Sequence, residues 1–286
     1  MGVSEIRLLV VPYELDRLRR GIGRGPEQLL EAGAEKALGA SGAMVRTEVL
    51  ELNREYSNEI QGCFEVIKLI ASRVRAAGEE RAFPVVLSGS CYASIGIVAG
   101  LRGSPGVVWF DAHGDFNTPE TTDLGYFDGM GLAVLTGAAW QTMLAGVDGA
   151  QPLPETSVLL AGARDLDPSE RDRIDASRVA HLPPDRLRPP DRLLKAMEGM
   201  SPAPDGLHVH VDLDVLDSGE ATVNVYSAPD GINGVELHAL VAALIETGRV
   251  RALALTAYDP ECDSAGAVPP LAMSLLEATG SIAAKS

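Results

Sequence analysis

The fold is indicated by the stretch VVWFDAHGD, residues 107–115, in which a run of β-branched and aromatic residues leads directly into acidic side chains. Such a short, continuous apolar run is typical of a strand buried on both faces of a parallel sheet. A second stretch, LHVHVDLDVLD at residues 207–217, repeats the arrangement. Because ligands of open α/β sheets bind beyond the carboxyl ends of the strands, both stretches predict functional side chains at one sheet edge.

Outward from these stretches, apolar β-branched runs alternate with segments whose apolar residues recur at helical spacing, as in residues 60–74 and 237–245. The predicted strands cover residues 6–11, 45–52, 84–87, 107–110, 157–160, 178–182, 207–211 and 250–256. Repeated βα units with right-handed crossovers predict an α/β fold, a three-layer α/β/α sandwich around a doubly wound, mostly parallel eight-stranded sheet. The pattern continues past the proline-rich segment 182–190, so we expect a single domain over residues 1–286.

Composition excludes several classes of function. The chain has 286 residues and a formal net charge of −16, which disfavours binding to nucleic acids or anionic membranes. Its three cysteines, Cys63, Cys91 and Cys262, are an odd number without close pairing, and this favours a reducing, cytoplasmic location. Residues 129–147 carry no charge but are rich in glycine and lack basic flanks, so they predict a buried helix rather than a membrane span.

The acidic side chains that follow the two apolar runs predict a metal centre. Asp111, His113 and Asp115 alternate in sequence, as do Asp212 and Asp214, so each set can project from one side of an extended chain. Converging carboxylates repel one another unless cations neutralise them. Carboxylates with imidazole suit Mn²⁺ and related metals, and a bridged pair of cations generates a hydroxide nucleophile near neutral pH. The alternative is that these aspartates only cap turns and helices.

Four motifs identify a family resemblance. They are RGIGRGP at residues 20–26, DAHGDFNTP at 111–119, GARDLDPSE at 162–170 and DLDVLD at 212–217. In this order they resemble motifs of the arginase–agmatinase superfamily of binuclear manganese ureohydrolases, and the resemblance extends over nearly the whole chain. It implies an arginase-like fold, two Mn²⁺ ions per subunit and a small guanidino substrate, and a homo-oligomer is compatible with it.

The resemblance also implies a ligand set. The family's bridging carboxylates fall on Asp111 and Asp212, and His113 and Asp214 complete one metal site. Asp115 belongs to the other site and is expected to hydrogen-bond the nucleophile and relay its proton.

Matching the same motifs, Asn117 and Asp167 fall where arginase holds the α-carboxylate and α-amino groups of its substrate.

Four positions depart from the family pattern. Cys91 stands where a histidine ligand is usual, and Asp128 stands where arginase has a histidine proton shuttle. Ala257 aligns with the glutamate that holds the guanidinium group, and Leu124 aligns with a serine that contacts the α-carboxylate. The cysteine together with the DFNTPETT segment resembles the hydroxyarginine-hydrolysing amidinohydrolase of D-cycloserine biosynthesis, which forms hydroxyurea and ornithine.

We therefore expect a metal-dependent amidinohydrolase acting on Nω-hydroxy-L-arginine, with Asp128 in the role of the shuttle. An N-hydroxyguanidine is less basic than a guanidine, so it depends less on a carboxylate that holds a cation. Alternative functions are hydrolysis of another guanidine or amidine, such as arginine, agmatine or formiminoglutamate, and a noncatalytic binding or structural role. Cys91 is either a thiolate ligand or a packing residue. His210 is either an orienting donor beside the ligands or a core histidine.

Overall fold

A computed structural model describes residues 5–284 of the chain, so residues 1–4 and 285–286 of the expected domain lie outside the described part. The main sheet has eight strands: β1 (Glu5–Val11), β2 (Met44–Val49), β3 (Ala82–Ser88), β4 (Pro105–Phe110), β5 (Val158–Ala161), β6 (Ala180–Leu182), β7 (Gly206–Asp212) and β8 (Val250–Thr256). A small antiparallel hairpin of Tyr13–Glu14 and Arg17–Leu18 follows β1.

The strand order is β2-β1-β3-β8-β7-β4-β5-β6, and every neighbouring pair in this sheet is parallel. The α-helices are α1 (Gly25–Glu31), α2 (Ala34–Leu38), α3 (Glu59–Glu79), α4 (Ala93–Gly100), α5 (Gly131–Leu135), α6 (Gln141–Leu144), α7 (Pro168–Ala176), α8 (Asp191–Glu198), α9 (Gly234–Glu246) and α10 (Val268–Ala284). Separate apolar cores lie on the two faces of the sheet, one under α3–α5 and the other under α1, α2 and α8–α10. The predicted three-layer α/β/α architecture is confirmed.

All eight predicted strands are present, with differences at their ends. The largest difference is at β2, which was expected to reach residue 52 but ends at Val49. Beyond that point the backbone leaves the ladder, and the N–H of Leu52 donates to the phenol oxygen of Tyr13. The two helical patterns correspond to α3 and α9, which begin after the side-chain caps Asn58 and Asn233.

The prediction of one buried helix over residues 129–147 is wrong. This segment forms the short helices α5 and α6, because Gly137 and Trp140 between them adopt left-handed backbone conformations with φ of +75° and +51°. A helix cannot continue through such residues. Among the described residues, no helix has both the length and the apolar character needed to cross a membrane.

Candidate metal centre and active site

The four central strands, β3, β8, β7 and β4, end at one edge of the sheet and bring the candidate residues together. Ser88, Thr256 and Asp212 occupy matching register positions at the carboxyl ends of β3, β8 and β7. Asp111 follows the last residue of β4, whose Phe110 pairs with Val211. The sheet register therefore places Asp111 and Asp212 on adjacent strands, although about a hundred residues separate them in sequence.

A cavity of about 260 Å³ opens at this edge. The sequence-predicted residues that line it are Cys91, His113, Asp115, Asn117, Leu124, Asp128, Asp167, Asp212, Asp214 and Ala257. A larger cavity of about 770 Å³ lies at the opposite edge, where strands begin at Ala82, Pro105 and Gly206. The smaller cavity is the candidate active site because it holds the converging titratable groups.

One half of the candidate metal centre contains Asp111, His113 and Asp214, whose ligand atoms lie within 4.8 Å of one another. His113 Nδ1 is 3.2 Å from Asp111 Oδ1 and 3.4 Å from Asp214 Oδ2. The carboxylates are also held by the protein. Asp111 Oδ1 accepts the His113 N–H at 2.7 Å, and Asp214 accepts from the backbone of Ala112 and the amide of Asn224. We call this the His113 half.

In the other half, which we call the Cys91 half, the ligand atoms of Cys91, His210 and the shared Asp111 lie within 4.8 Å of one another. We assign Asp115 and Asp212 to this half because both line the cavity together with Cys91. The Cys91 thiol donates to Asp212 Oδ2 at 2.9 Å, and its sulfur lies 3.2 Å from the Thr256 hydroxyl. Asp111 is common to the two candidate ligand groups, as a bridging carboxylate requires.

Asp115 is the strained member of the cluster. Its backbone has a φ of +47°, which is uncommon for a residue with a side chain. Its buried Oδ2 makes no hydrogen bond to any residue between 5 and 284. A buried carboxylate oxygen without a donor is costly, and such strain is typical of functional sites. A cation beside Asp115 would remove this cost.

The electrostatics of the cluster favour the binding of cations. Burial, reinforced by the neighbouring carboxylates, raises the pKa values of Asp115 and Asp212. Burial also raises the pKa of Asp214, although the charge of His113 acts in the opposite direction. Burial, and next the charge of Asp212, raises the pKa of the Cys91 thiol well above its ordinary value. Burial alone would lower the pKa of His113, but the charges of Asp214 and Asp111 outweigh it and raise that pKa to about 10.

No lysine or arginine belongs to the described residues that line the cavity. Divalent cations therefore fit this donor set, and their binding would displace the thiol proton.

Asp128 lies under the loop that carries Cys91. Its Oδ1 accepts the Tyr92 N–H at 2.9 Å. Burial raises the pKa of Asp128 to about 7, although hydrogen bonds from the backbones of Tyr92 and Cys91 and from Ser90 act in the opposite direction. The carboxyl group lines the cavity and also anchors the 90–92 loop.

The outer part of the cavity carries the candidate substrate-binding residues. Asn117 Nδ2 lies 3.5 Å from Asp167 Oδ2, so the two side chains form one polar wall. Leu124 is 82% exposed at the mouth and offers no polar atom there. Ala257 is buried and presents only a methyl group from the loop after β8.

Sequence reasoning missed three supporting residues. Asn224 is buried and donates both to Asp214 Oδ2 at 3.2 Å and to the Ala257 carbonyl at 2.9 Å. Arg164 donates to carbonyl groups of residues 214–216 and thereby clamps the loop that presents Asp214. Glu170 accepts the Phe116 N–H. Arg164 and Glu170 both lie in the motif of residues 162–170, which could have identified them, whereas Asn224 lies in none of the recognised motifs.

Comparisons with known proteins assign the family. The chain matches the Arginase family over residues 4–281. It is 30% identical to an arginase of Bacillus subtilis (strain 168), with 95% of this chain and 96% of that protein covered. The crystal structure of arginase from Bacillus cereus aligns with a TM-score of 0.87, 28% identity and 99% of both chains covered. An N(omega)-hydroxy-L-arginine amidinohydrolase of Streptomyces lavendulae is 34% identical over 56% of this chain and 55% of its own length.

The fold and site define a hydrolase that acts on linear amidines by the binuclear-metal type of chemistry. The chain belongs to the arginase family.

Proposed function

We propose that this protein hydrolyses Nω-hydroxy-L-arginine to hydroxyurea and L-ornithine, with two Mn²⁺ ions as cofactors. The observation that carries the proposal is Ala257, because the cavity wall formed by the loop after β8 offers a methyl group where a guanidinium ion would need a carboxylate. An N-hydroxyguanidine can enter the site uncharged, and so it avoids the cost of an unpaired buried cation. The similarity to an N(omega)-hydroxy-L-arginine amidinohydrolase supports the same substrate.

The reaction adds one water molecule across the bond between the guanidino carbon and the Nδ atom of the substrate. The carbon retains the amino and hydroxyamino nitrogens and gains the water oxygen, which gives hydroxyurea. The Nδ atom gains a proton and leaves as the side-chain amine of ornithine. Bound Mn²⁺ would act as a Lewis acid and make water a stronger nucleophile at neutral pH.

The chain would hold the two ions with the residues already described. Asp111 and Asp212 would bridge, His113 and Asp214 would complete one site, and Asp115 with Cys91 would serve the other. Asp115 Oδ2, which lacks a donor among the described residues, would accept a proton from the attacking water. Asp128 lines the same cavity and would deliver a proton to the departing Nδ atom.

Asn117 and Asp167 support recognition of an amino acid head group. An amide donor suits the α-carboxylate, and a carboxylate suits the α-ammonium group. Leu124 offers no contact to the α-carboxylate, so recognition at that end rests on Asn117 and neighbouring groups. Agmatine, which lacks the α-carboxylate, should therefore be a poor substrate.

Arginine is the second candidate, because an arginase aligns over 95% of this chain. The decisive experiment compares kcat/KM for Nω-hydroxyarginine, arginine, agmatine and formiminoglutamate at saturating Mn²⁺. Ornithine release serves as a common readout for the first two substrates. We expect Nω-hydroxyarginine to exceed arginine by at least about tenfold, the effect of one missing charge-assisted hydrogen bond.

The Asp111→Ala protein serves as the control for contaminating host enzymes. Equal or faster turnover of arginine would refute the hydroxyguanidine assignment and leave the family assignment intact.

A further inference from the structure

His210 on β7 is a fully buried histidine with one ring nitrogen bonded and the other free of partners among the described residues. Its exposed fraction is 0%. Nδ1 lies 2.9 Å from the Ser94 hydroxyl oxygen. Nε2 is buried and has no hydrogen-bond partner anywhere in residues 5–284. A buried polar atom in this state costs free energy and calls for a binding partner.

The surroundings of His210 indicate what that partner is. A ring nitrogen of His210, the Cys91 sulfur and a carboxylate oxygen of Asp111 all lie within 4.8 Å of one another, and all three residues are buried. Because Nδ1 is engaged by Ser94, Nε2 is the nitrogen available to this group. Imidazole, thiolate and carboxylate together form a donor set that suits a divalent transition metal.

The hydrogen-bond chain beyond His210 allows the tautomer that a ligand needs. The Ser94 oxygen lies between His210 Nδ1 and His208 Nε2, the latter at 2.8 Å. A hydroxyl group has one proton, so Ser94 can donate to one of these nitrogens and accept from the other. When Ser94 donates to His208 Nε2, it accepts the Nδ1–H of His210.

In this arrangement His210 Nε2 carries a lone pair, as does the ligating nitrogen of a metal-bound histidine whose other nitrogen donates a hydrogen bond. The opposite arrangement would place an unpaired N–H on Nε2.

Packing fixes the His210 ring. Trp109 stacks on it at 3.7 Å between ring centroids with an interplanar angle of 23°. The same indole donates its N–H to Asp111 Oδ2 at 3.0 Å. Trp109 therefore orients both the imidazole and the carboxylate, which reduces the reorganisation needed when an ion binds.

We propose that His210 Nε2 is a metal ligand in the Cys91 half, where it supplies from β7 the imidazole that the loop after β3 lacks. The inference rests on the metal centre of the proposed function. It differs from both sequence-based interpretations of His210, since a histidine that only packs would leave Nε2 without a partner and an orienting donor needs an N–H on Nε2. Cys91 and His210 then act together as ligands of one ion.

The test compares His210→Gln with the matched control His208→Gln. Both histidines are fully buried and both bond Ser94, but only His210 belongs to the candidate ligand group. Metal content and Kd are measured by elemental analysis and titration with Mn²⁺ and Co²⁺. We expect His210→Gln to weaken one of the two sites by at least about tenfold, while His208→Gln retains both ions.

A rescue experiment separates ligation from packing. If His210 supplies the imidazole ligand that is usual at position 91, the double variant Cys91→His/His210→Gln should bind the second ion again. Circular dichroism and thermal unfolding of the metal-free proteins establish that the variants fold. Pulsed electron paramagnetic resonance of the Mn²⁺-loaded native protein gives an independent answer, with two directly coordinated imidazoles expected and one remaining in His113→Ala.

Unchanged metal binding in His210→Gln, or a single coordinated imidazole in the native protein, overturns the inference about His210 whatever the substrate is. Failure of the protein to hydrolyse any guanidino compound would overturn the proposed function, while a two-imidazole centre would still support His210 as a ligand.

Discussion

The two halves of the metal centre share Asp111 but differ in how far the protein itself satisfies their polar groups. In the His113 half, Asp111 and Asp214 accept backbone and amide hydrogen bonds, and Asn224 buttresses Asp214 from the next loop. In the Cys91 half, Asp115 Oδ2 and His210 Nε2 are buried without a partner among the described residues. The two halves also differ in exposure, since His113 is partly exposed whereas Cys91 and His210 are buried.

This difference predicts which half of the centre would depend more on a bound ion. Carboxylates that accept several hydrogen bonds are held in place without a metal, whereas unpaired buried atoms are stabilised only when an ion arrives. We therefore expect the half that departs from the family pattern at Cys91 to be the half whose structure is most tightly coupled to metal binding. Substitutions on the two sides should have different consequences.

The largest effect is expected from substitutions that affect both halves of the metal centre at once. Asp111→Ala or Asp212→Ala takes away a bridging carboxylate and leaves two cations sharing too little negative charge, so both ions should be lost. Because metal activation supplies several kcal/mol to the transition state, kcat should fall by about a thousandfold or more. Elemental analysis and steady-state rates provide the measurement.

Asp123→Ala, at an exposed position next to the cavity-lining Leu124, is the matched control and should retain both ions. Full metal content in either bridging variant would contradict the shared roles of Asp111 and Asp212.

The next effect separates proton transfer from structural support at Asp128, beside the Cys91 half. Asp128→Asn keeps an acceptor for the Tyr92 N–H but cannot deliver a proton, so kcat should fall by about a hundredfold or more at unchanged metal content. Steady-state kinetics with parallel metal analysis measures both quantities. An active Asn variant would show that Asp128 serves only to anchor the 90–92 loop.

A third, smaller effect tests whether the halves lose ions independently. Cys91→Ser should weaken one site by about tenfold while the His113 site stays occupied, and His113→Ala should do the reverse. Cys91→His should instead raise Mn²⁺ affinity, because imidazole is a more favourable partner for Mn²⁺ than a thiol that must first lose its proton. Isothermal titration with Mn²⁺ distinguishes the sites by stoichiometry.

If neither Cys91 variant changes metal affinity or activity, Cys91 is a packing residue and the asymmetry of the centre does not arise from it.

The smallest expected effect concerns the substrate preference rather than the metal centre. Ala257→Glu would return a carboxylate to the loop after β8 and should raise kcat/KM for arginine relative to Nω-hydroxyarginine by about tenfold. Ala257→Gln has nearly the same volume without the charge, so it serves as the control. Equal shifts in both variants would show that side-chain volume, and not charge, determines the preference.

Local sequence patterns were sufficient to predict most of the architecture. Apolar runs and helical periodicity predicted all eight strands and the helices α3 and α9, because both signals depend on near neighbours in the chain. The positions of Asp111, His113, Asp212 and Asp214 after buried strands predicted the functional edge for the same reason. The pattern failed over residues 129–147, where left-handed conformations at Gly137 and Trp140 end one helix and begin the next.

What the sequence by itself determined is the α/β class, the strand inventory and the identity of the acidic cluster. The tertiary structure alone decided which of these groups meet. Cys91 and Asp212 are 121 residues apart, and they come together because only β8 lies between β3 and β7 in the sheet. The same strand order turns His210 toward Cys91 and Asp111, and Asn224 toward Asp214. Such contacts depend on strand order and register, which are set by the packing of the whole sheet and which no local pattern encodes.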